Sequence, residues 1–231
     1  GETVDYDANK GSLSVGAAFV VAGPSGNAAG AAVNVANVDN DFTAAIADAT
    51  LAGDSVSAEA DADSLAVNVS AGVAAGSKDF GGMGSVTWQD MDNTVLAKAS
   101  DSAITADSLA VKAASNSQAV NVAGSVAYGK TAGVGAALAY NGLDNHIGAY
   151  LAGGSVTAKT PSTGVSVDVE GKNTGKIYGI GAAVAASQNA AVNGTVVVNH
   201  GGSDTEAVVG EVRPEDGTNT VKDTAVANAK A

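Results

Sequence analysis

"NVSAGVAAG" occupies residues 68–76, and "NVAGSVAYG" occupies residues 121–129, 53 positions further on. "VGAAFVVAG" (15–23) precedes the pair and "GIGAAVAAS" (179–187) follows it. Aligned, the four segments share a valine column of Val20, Val73, Val126 and Val184, at spacings of 53, 53 and 58. The quartets "VDND", "MDNT", "LDNH" and "VVNH" place Asn40, Asn93, Asn145 and Asn199 in a second column, spaced 53, 52 and 54. Asp39, Asp92 and Asp144 precede the first three of these asparagines, and Val35, Trp88 and Tyr140 stand four residues before each Asp. A third column runs through Val4, Val56, Leu109, Val165 and Val221. Columns that share one period mark an internal repeat. The chain therefore reads as a single repeat-array domain with units near 12–63, 64–116, 117–173 and 174–231. It begins and ends in the same phase, at Val4 and Val221, without an evident capping unit, so the pattern predicts a segment of a longer array.

Within each unit the alternation has period two. Leu65, Val67 and Val69 fall on one face of a strand, and Ala66 and Asn68 on the other. No long stretch carries a capped helical stripe. Tandem strand-rich units can sit as beads, close into a propeller, or stack. Beads need linkers, and none interrupts the period. Propeller blades carry aromatic signatures, whereas this chain has only 3 Phe, 5 Tyr and 1 Trp in 231 residues. Stacking remains: an all-β chain folded as a right-handed parallel β-helix, or β-solenoid, with equivalent residues about 4.8 Å apart along the axis. In such a stack the valine column is expected to form an internal aliphatic ladder. The asparagines are expected to form an amide ladder at a corner, where Asn tolerates left-handed backbone. A unit of 53 residues exceeds the roughly 20–45 of common solenoids. One wide rung is the favoured reading; two rungs, or hairpins made by the Gly-containing links, stay open.

Charge narrows the partners. With 24 acidic and 11 basic residues the net charge is −13, which repels nucleic acid and anionic lipid. Residues 15–38 carry no charge up to Val38, but Pro24, several glycines and Asn27, Asn34 and Asn37 argue against a membrane span, so no membrane insertion is expected. Cysteine is absent, which excludes disulfides and thiolate metal sites.

No catalytic motif emerges. His146 and His200 both follow a column asparagine and read as solvated corner residues rather than a stacked metal pair. The acidic column Asp39, Asp92 and Asp144 is the candidate ligand site, because Ca²⁺ favours clustered oxygen ligands. No other cofactor is expected. Asp61 and Asp63 with Glu59 lie on a polar strand face, where the set-apart acid and base of a glycosidase are not to be expected. Extra residues near 160–164 and 201–217 predict loops on one side of the stack, a usual place for contacts.

The "AVNV…AG" strands (66–69 and 119–122), the Gly-rich links, "AAVNVANVDN" (31–40) and the following "V-x-A" strands resemble the repeats of large filamentous-haemagglutinin-type adhesins, including their leukotoxin-related branch. The resemblance covers nearly the whole chain. It implies a protein secreted across a bacterial outer membrane and displayed at the cell surface as a long β-helical fibre, associated with adhesion and, in some members, with toxicity to host cells. The expected role is then a structural, adhesive stalk segment rather than an enzyme. Its partner would be a receptor or glycan on a host or neighbouring cell. Blunt strand edges at both ends add the possibility of end-to-end self-association. The alternative is a carbohydrate- or Ca²⁺-binding module, and the third reading is a polysaccharide-active β-helical enzyme.

Overall fold

Period-two alternation becomes strand almost without interruption. The computed structural model describes residues 3–21, 26–210 and 225–227. Four strands form sheet A: β1 (Thr3–Val21), β4 (Ser55–Gly76), β7 (Ser108–Gly129) and β10 (Ser166–Ala186). Sheet B holds β2 (Ala28–Ala47), β5 (Phe80–Ser100), β8 (Ala132–Ala152) and β11 (Ala190–Val209). Sheet C is a narrow strip of three-residue strands: β3 (Thr50–Ala52), β6 (Ala103–Thr105), β9 (Ser155–Thr157) and β12 (Ala225–Ala227). Every strand pairs in parallel with the strand three elements later. Consecutive strands thus lie in different sheets, and the described residues contain no hairpin pair. Each turn of the stack is one wide rung: out along sheet A, back along sheet B, and closed by sheet C. This is a parallel β-solenoid.

The rung has two halves built on opposite rules. Beside sheet C the alternation is conventional. In β4, Val56, Ala58, Ala60 and Ala62 are buried, while Asp61 and Asp63 point to solvent. Phe42, Val56, Val95, Ile104, Leu109, Ile147 and Leu151 fill this half as a core. Further along β4 the inward positions become Ala66, Asn68, Ser70, Gly72 and Ala74, and the outward ones Leu65, Val67, Val69 and Val73. Here the sheets meet through small side chains. At the far edge, where the chain crosses from sheet A to sheet B, a Cβ on Gly76 would lie 1.9 Å from the Phe80 carbonyl oxygen. One on Gly129 would lie equally close, 1.9 Å from that of Ala132. Any side chain there would drive the sheets apart.

Amides share the interior of the narrow half with small apolar clusters that include Met83, Met91 and Leu143. Asn34 Nδ2 donates to the Val69 carbonyl at 3.1 Å, Asn68 Nδ2 to Trp88 at 2.9 Å, and Asn141 Nδ2 to Ala119 at 3.2 Å. Gln89 Nε2 reaches the Ala66 carbonyl at 3.3 Å, and Asn121 donates to that of Tyr140. Each of these bonds joins sheet A to sheet B.

A second amide system runs along the axis. Asn40 Nδ2 donates to Asn93 Oδ1 at 2.8 Å, Asn93 Nδ2 to Asn145 Oδ1 at 2.8 Å, and Asn145 Nδ2 to Asn173 Oδ1 at 2.9 Å. Asn173 of β10 then donates across the fourth rung to Ser203 Oγ of β11. Asn40, Asn93 and Asn145 are buried in the middle of β2, β5 and β8. The expectation of a corner position is therefore wrong. The left-handed corner lies after β2, β5 and β8, at Asp48 (φ 50°), Asp101 (φ 50°) and Gly153 (φ 67°). A short polar side chain or none suits that backbone.

Three further expectations need correction. Asn199 does not continue the ladder: it pairs with Asn141, and Asn145 pairs with Ser203. The extra residues between β9 and β10 lengthen the offset between paired strands from 53 to 58 on sheet A and from 52 to 58 on sheet B. The spacing of 54 that placed Asn199 in its column ignored this. Val20 pairs with Ala74, and it is Phe19 that faces Val73, because β1 is offset by one residue more than β7 is from β4. Val73, Val126 and Val184 do stand in register, but on the outer surface, with Val126 and Val184 exposed. The aliphatic ladder is external, since Asn68, Ser70 and Ala74 hold the interior positions beside it. In the third column, Val56 meets Leu109, while Val4 pairs with Ala58 and Leu109 with Val167. Val221 lies outside the described residues.

Replacing Asn93 by Leu strips a partner from Asn40 Nδ2 and from Asn145 Oδ1 at once. Each stranded polar group costs about 1–3 kcal/mol, so a loss of about 2–6 kcal/mol is expected in urea unfolding. The same change at exposed Asn116 should stay within about 0.5 kcal/mol.

Candidate functional site

The outer face of sheet B beside the hydrophobic core carries the acidic column. Asp39 pairs with Asp92, and Asp92 with Asp144, so the three carboxylates lie one above another on β2, β5 and β8. Gly202 takes the fourth place, not Val198, which pairs with Tyr140. The Asp92 carboxyl is pushed above its ordinary range, first by partial burial and then by the like charges of Asp90, Asp144 and Asp39. The adjoining column reads Asp41, Thr94, His146 and Asp204. His146 Nδ1 lies 3.5 Å from Asp204 Oδ2. An open depression of about 500 Å³ follows these two columns across β5, β8 and β11.

Chemically this face is a run of negative potential with hydroxyl and amide groups beside it. Among the described residues no group of three or more His, Cys, Asp or Glu is arranged to hold a metal ion. His146 and His200 are not stacked, since His200 pairs with Gly142. Asp61 and Asp63 stand exposed on β4, opposite Ala114 and Asn116 of β7, away from the acidic column on the other sheet.

The inserted segment between β9 and β10 is held by side chains of lower rungs. Asp107 Oδ1 accepts from the Thr160 amide at 2.8 Å, and its Oδ2 accepts from Thr160 Oγ1 at 3.2 Å. Lys159 pairs with Asp54, two rungs away, which lowers the Asp54 carboxyl and raises the Lys159 ammonium. The second expected insertion, 201–217, divides differently. Residues up to Val209 continue β11, and 211–217 lie outside the described residues.

One surface feature went unread in the sequence. The outer faces of the narrow half are apolar on both sheets. On sheet B, Val35 pairs with Trp88 and Trp88 with Tyr140, and the two rings stack with centroids 3.9 Å apart. This row stands four residues before the acidic column on each of the three strands. On sheet A, Leu13, Phe19 and Val21 are 73%, 76% and 77% exposed. The charge-free stretch that invited a membrane reading is the end of β1 and the start of β2, whose outward valines belong to these faces. The signal was present in the odd-numbered valines of "SLAVNVSAGV", which the usual rule assigns to an interior.

Comparison with known proteins finds no matching family model, no matching curated protein and no matching solved structure.

The like-charge column has a pH signature. A carboxyl whose folded-state value is raised contributes most stability where it is protonated and loses it as pH rises through that value. Asp92→Asn should therefore raise the melting temperature at pH 7, by a gain on the scale of an exposed pair, about 0.3–0.5 kcal/mol. The gain should shrink as pH falls and the native carboxyl itself takes up its proton. Melting curves of both forms across pH give the readout.

Proposed function

We propose that this chain is a stalk segment of a secreted, surface-displayed bacterial filamentous adhesin: a right-handed β-helix of units of about 53 residues that holds length and projects other domains toward a receptor or glycan on a neighbouring or host cell. The carrying observation is the continuity of the ladders. Backbone pairing runs through every described rung, and the buried amide chain Asn40–Asn93–Asn145 runs with it through the first three. Such a stack can lengthen by adding rungs without needing a larger core. The role is mechanical, with no catalytic step assigned to any residue. The resemblance to filamentous-haemagglutinin-type repeats supplies the surface location and the adhesive context.

Antibody raised against this chain should label intact cells of the bacterium that produces it, and external protease should remove the label. A signal found only after lysis would refute the surface assignment. Loss of cell attachment on deletion of the parent protein would support the adhesive role.

The second reading, a Ca²⁺- or carbohydrate-binding module, rests on the in-register carboxylates of Asp39, Asp92 and Asp144. A binding module should show a rise in melting temperature with millimolar Ca²⁺ that Mg²⁺ does not reproduce and that Asp92→Asn abolishes. A stalk should show equal, small responses to both ions, set by ionic strength alone.

A further inference from the structure

The outward positions of the narrow half of sheet A form a grid. Leu13, Val15, Ala17, Phe19 and Val21 of β1 stand in register with the outward residues of 67–75, 120–128 and 178–186. None of these positions carries a charge, and the only polar side-chain atoms are the hydroxyls of Tyr128 and Tyr178. Exposure is not an effect of the ends of the stack. Val126 and Tyr128 of β7 have strands on both sides and are each 44% exposed. A surface of this kind offers nothing to a polar ligand, and its natural complement is another flat pleated sheet.

The grid has relief. Its middle column, Ala17, Ala71, Gly124 and Ala182, is a furrow, and the adjacent column, Phe19, Val73, Val126 and Val184, is a ridge. We propose that this face pairs with the same face of a second copy of the chain. The two parallel rods are related by a two-fold axis along the stacking direction, each ridge lying in the other's furrow. That operator reverses the strand direction but keeps the rung direction, so both rods rise from the same side. It also sends the charged halves to opposite sides. Direct superposition would instead set the acidic groups Glu59, Asp61 and Asp63 of sheet A against charged residues of the partner copy. The acidic surface and the net charge of −13 disfavour an anionic lipid surface as the occupant.

Area sets the strength. Nine residues along each strand and four strands across give a footprint of roughly 30 Å by 19 Å, or about 570 Å² per copy. A stable specific interface needs about 800 Å² per partner. Four rungs thus give a weak, concentration-dependent dimer, and each added rung contributes roughly 140 Å². This inference stands on the exposed grid and is independent of the adhesin reading.

The test is sedimentation equilibrium of this chain from roughly 10 µM to 1 mM, the range in which weak association is resolved. It is run beside Ala71→Phe, which fills the furrow, and Val126→Lys, which charges the ridge. Circular dichroism confirms the fold of each, and flotation with phosphatidylcholine vesicles is measured in parallel. The expected result is reversible dimerisation of the parent chain, at least tenfold weaker in both variants, with no flotation. Ala71→Phe separates specific pairing from general stickiness, because it adds apolar surface. A chain that stays monomeric throughout, a tighter dimer with Ala71→Phe, or flotation with vesicles would overturn the proposal.

Discussion

Parallel pairing in strict register governs this molecule. Whatever side chain one rung carries at a position is met about 4.8 Å away by the residue at the same position of the next rung. Like must therefore tolerate like, and each column reveals how. Asparagine tolerates its copy best, because an amide both donates and accepts, and the chain from Asn40 through Asn93 and Asn145 satisfies each member with the next. Aromatic rings tolerate theirs by stacking, as Trp88 and Tyr140 do. Carboxylates tolerate theirs poorly: the Asp92 carboxyl is pushed up first by partial burial and then by like charges, Asp144 and Asp39 of its own column among them. The column is kept at the surface, where water screens it.

The same constraint explains a composition rich in Gly, Ala and Val and poor in rings. Only the half beside sheet C encloses enough space for Phe42, Ile104 and Leu109. In the narrow half the sheets approach until Ala, Ser and Gly fill most of the gap, with Met83, Met91 and Leu143 as the larger buried side chains. Bonds from Asn34, Asn68 and Asn141 to carbonyls of the opposite sheet hold it closed. These carbonyl acceptors already serve the ladder with one lone pair, and the amide uses the other. The displaced aliphatic residues, Val69, Val73 and Val126 among them, are left outside. An apolar exterior and an amide interior are thus two results of one close approach.

Much of this was readable from spacing alone. Strand class, parallel stacking and the first three asparagines follow from a period repeated in several columns, since register is a property of spacing. The Val35–Trp88–Tyr140 and Asp39–Asp92–Asp144 columns were found the same way. What spacing does not carry is phase. Alternation states that Leu65 and Ala66 point to opposite sides, and only the distance between the sheets decides which side is inside. The rule that valine faces inward holds at Val56 and fails at Val73 and Val126. Insertions blur register as well. The extra residues before β10 moved Asn199 four positions away from Asn145, and the offset of β1 moved Val20 by one. The corner at Asp48, Asp101 and Gly153 was visible as a column of turn-forming residues. It was missed because asparagine, the commoner left-handed residue, offered a more prominent column.

The central claim is that residues 53 positions apart are nearest neighbours in one continuous stack. The chain contains no cysteine, so a cysteine pair reports on a single contact. Asp61→Cys with Ala114→Cys places the two thiols on outward, in-register positions of β4 and β7. Strand spacing of about 4.8 Å lies within the 4.4–6.8 Å between Cα atoms that a disulfide spans. Mild oxidation at low protein concentration should close this pair within one chain. It should leave Asp61→Cys with Gln118→Cys, four residues out of register, open. Cross-linking of the displaced pair instead, or of both equally, would contradict the stacked register and the account built on it.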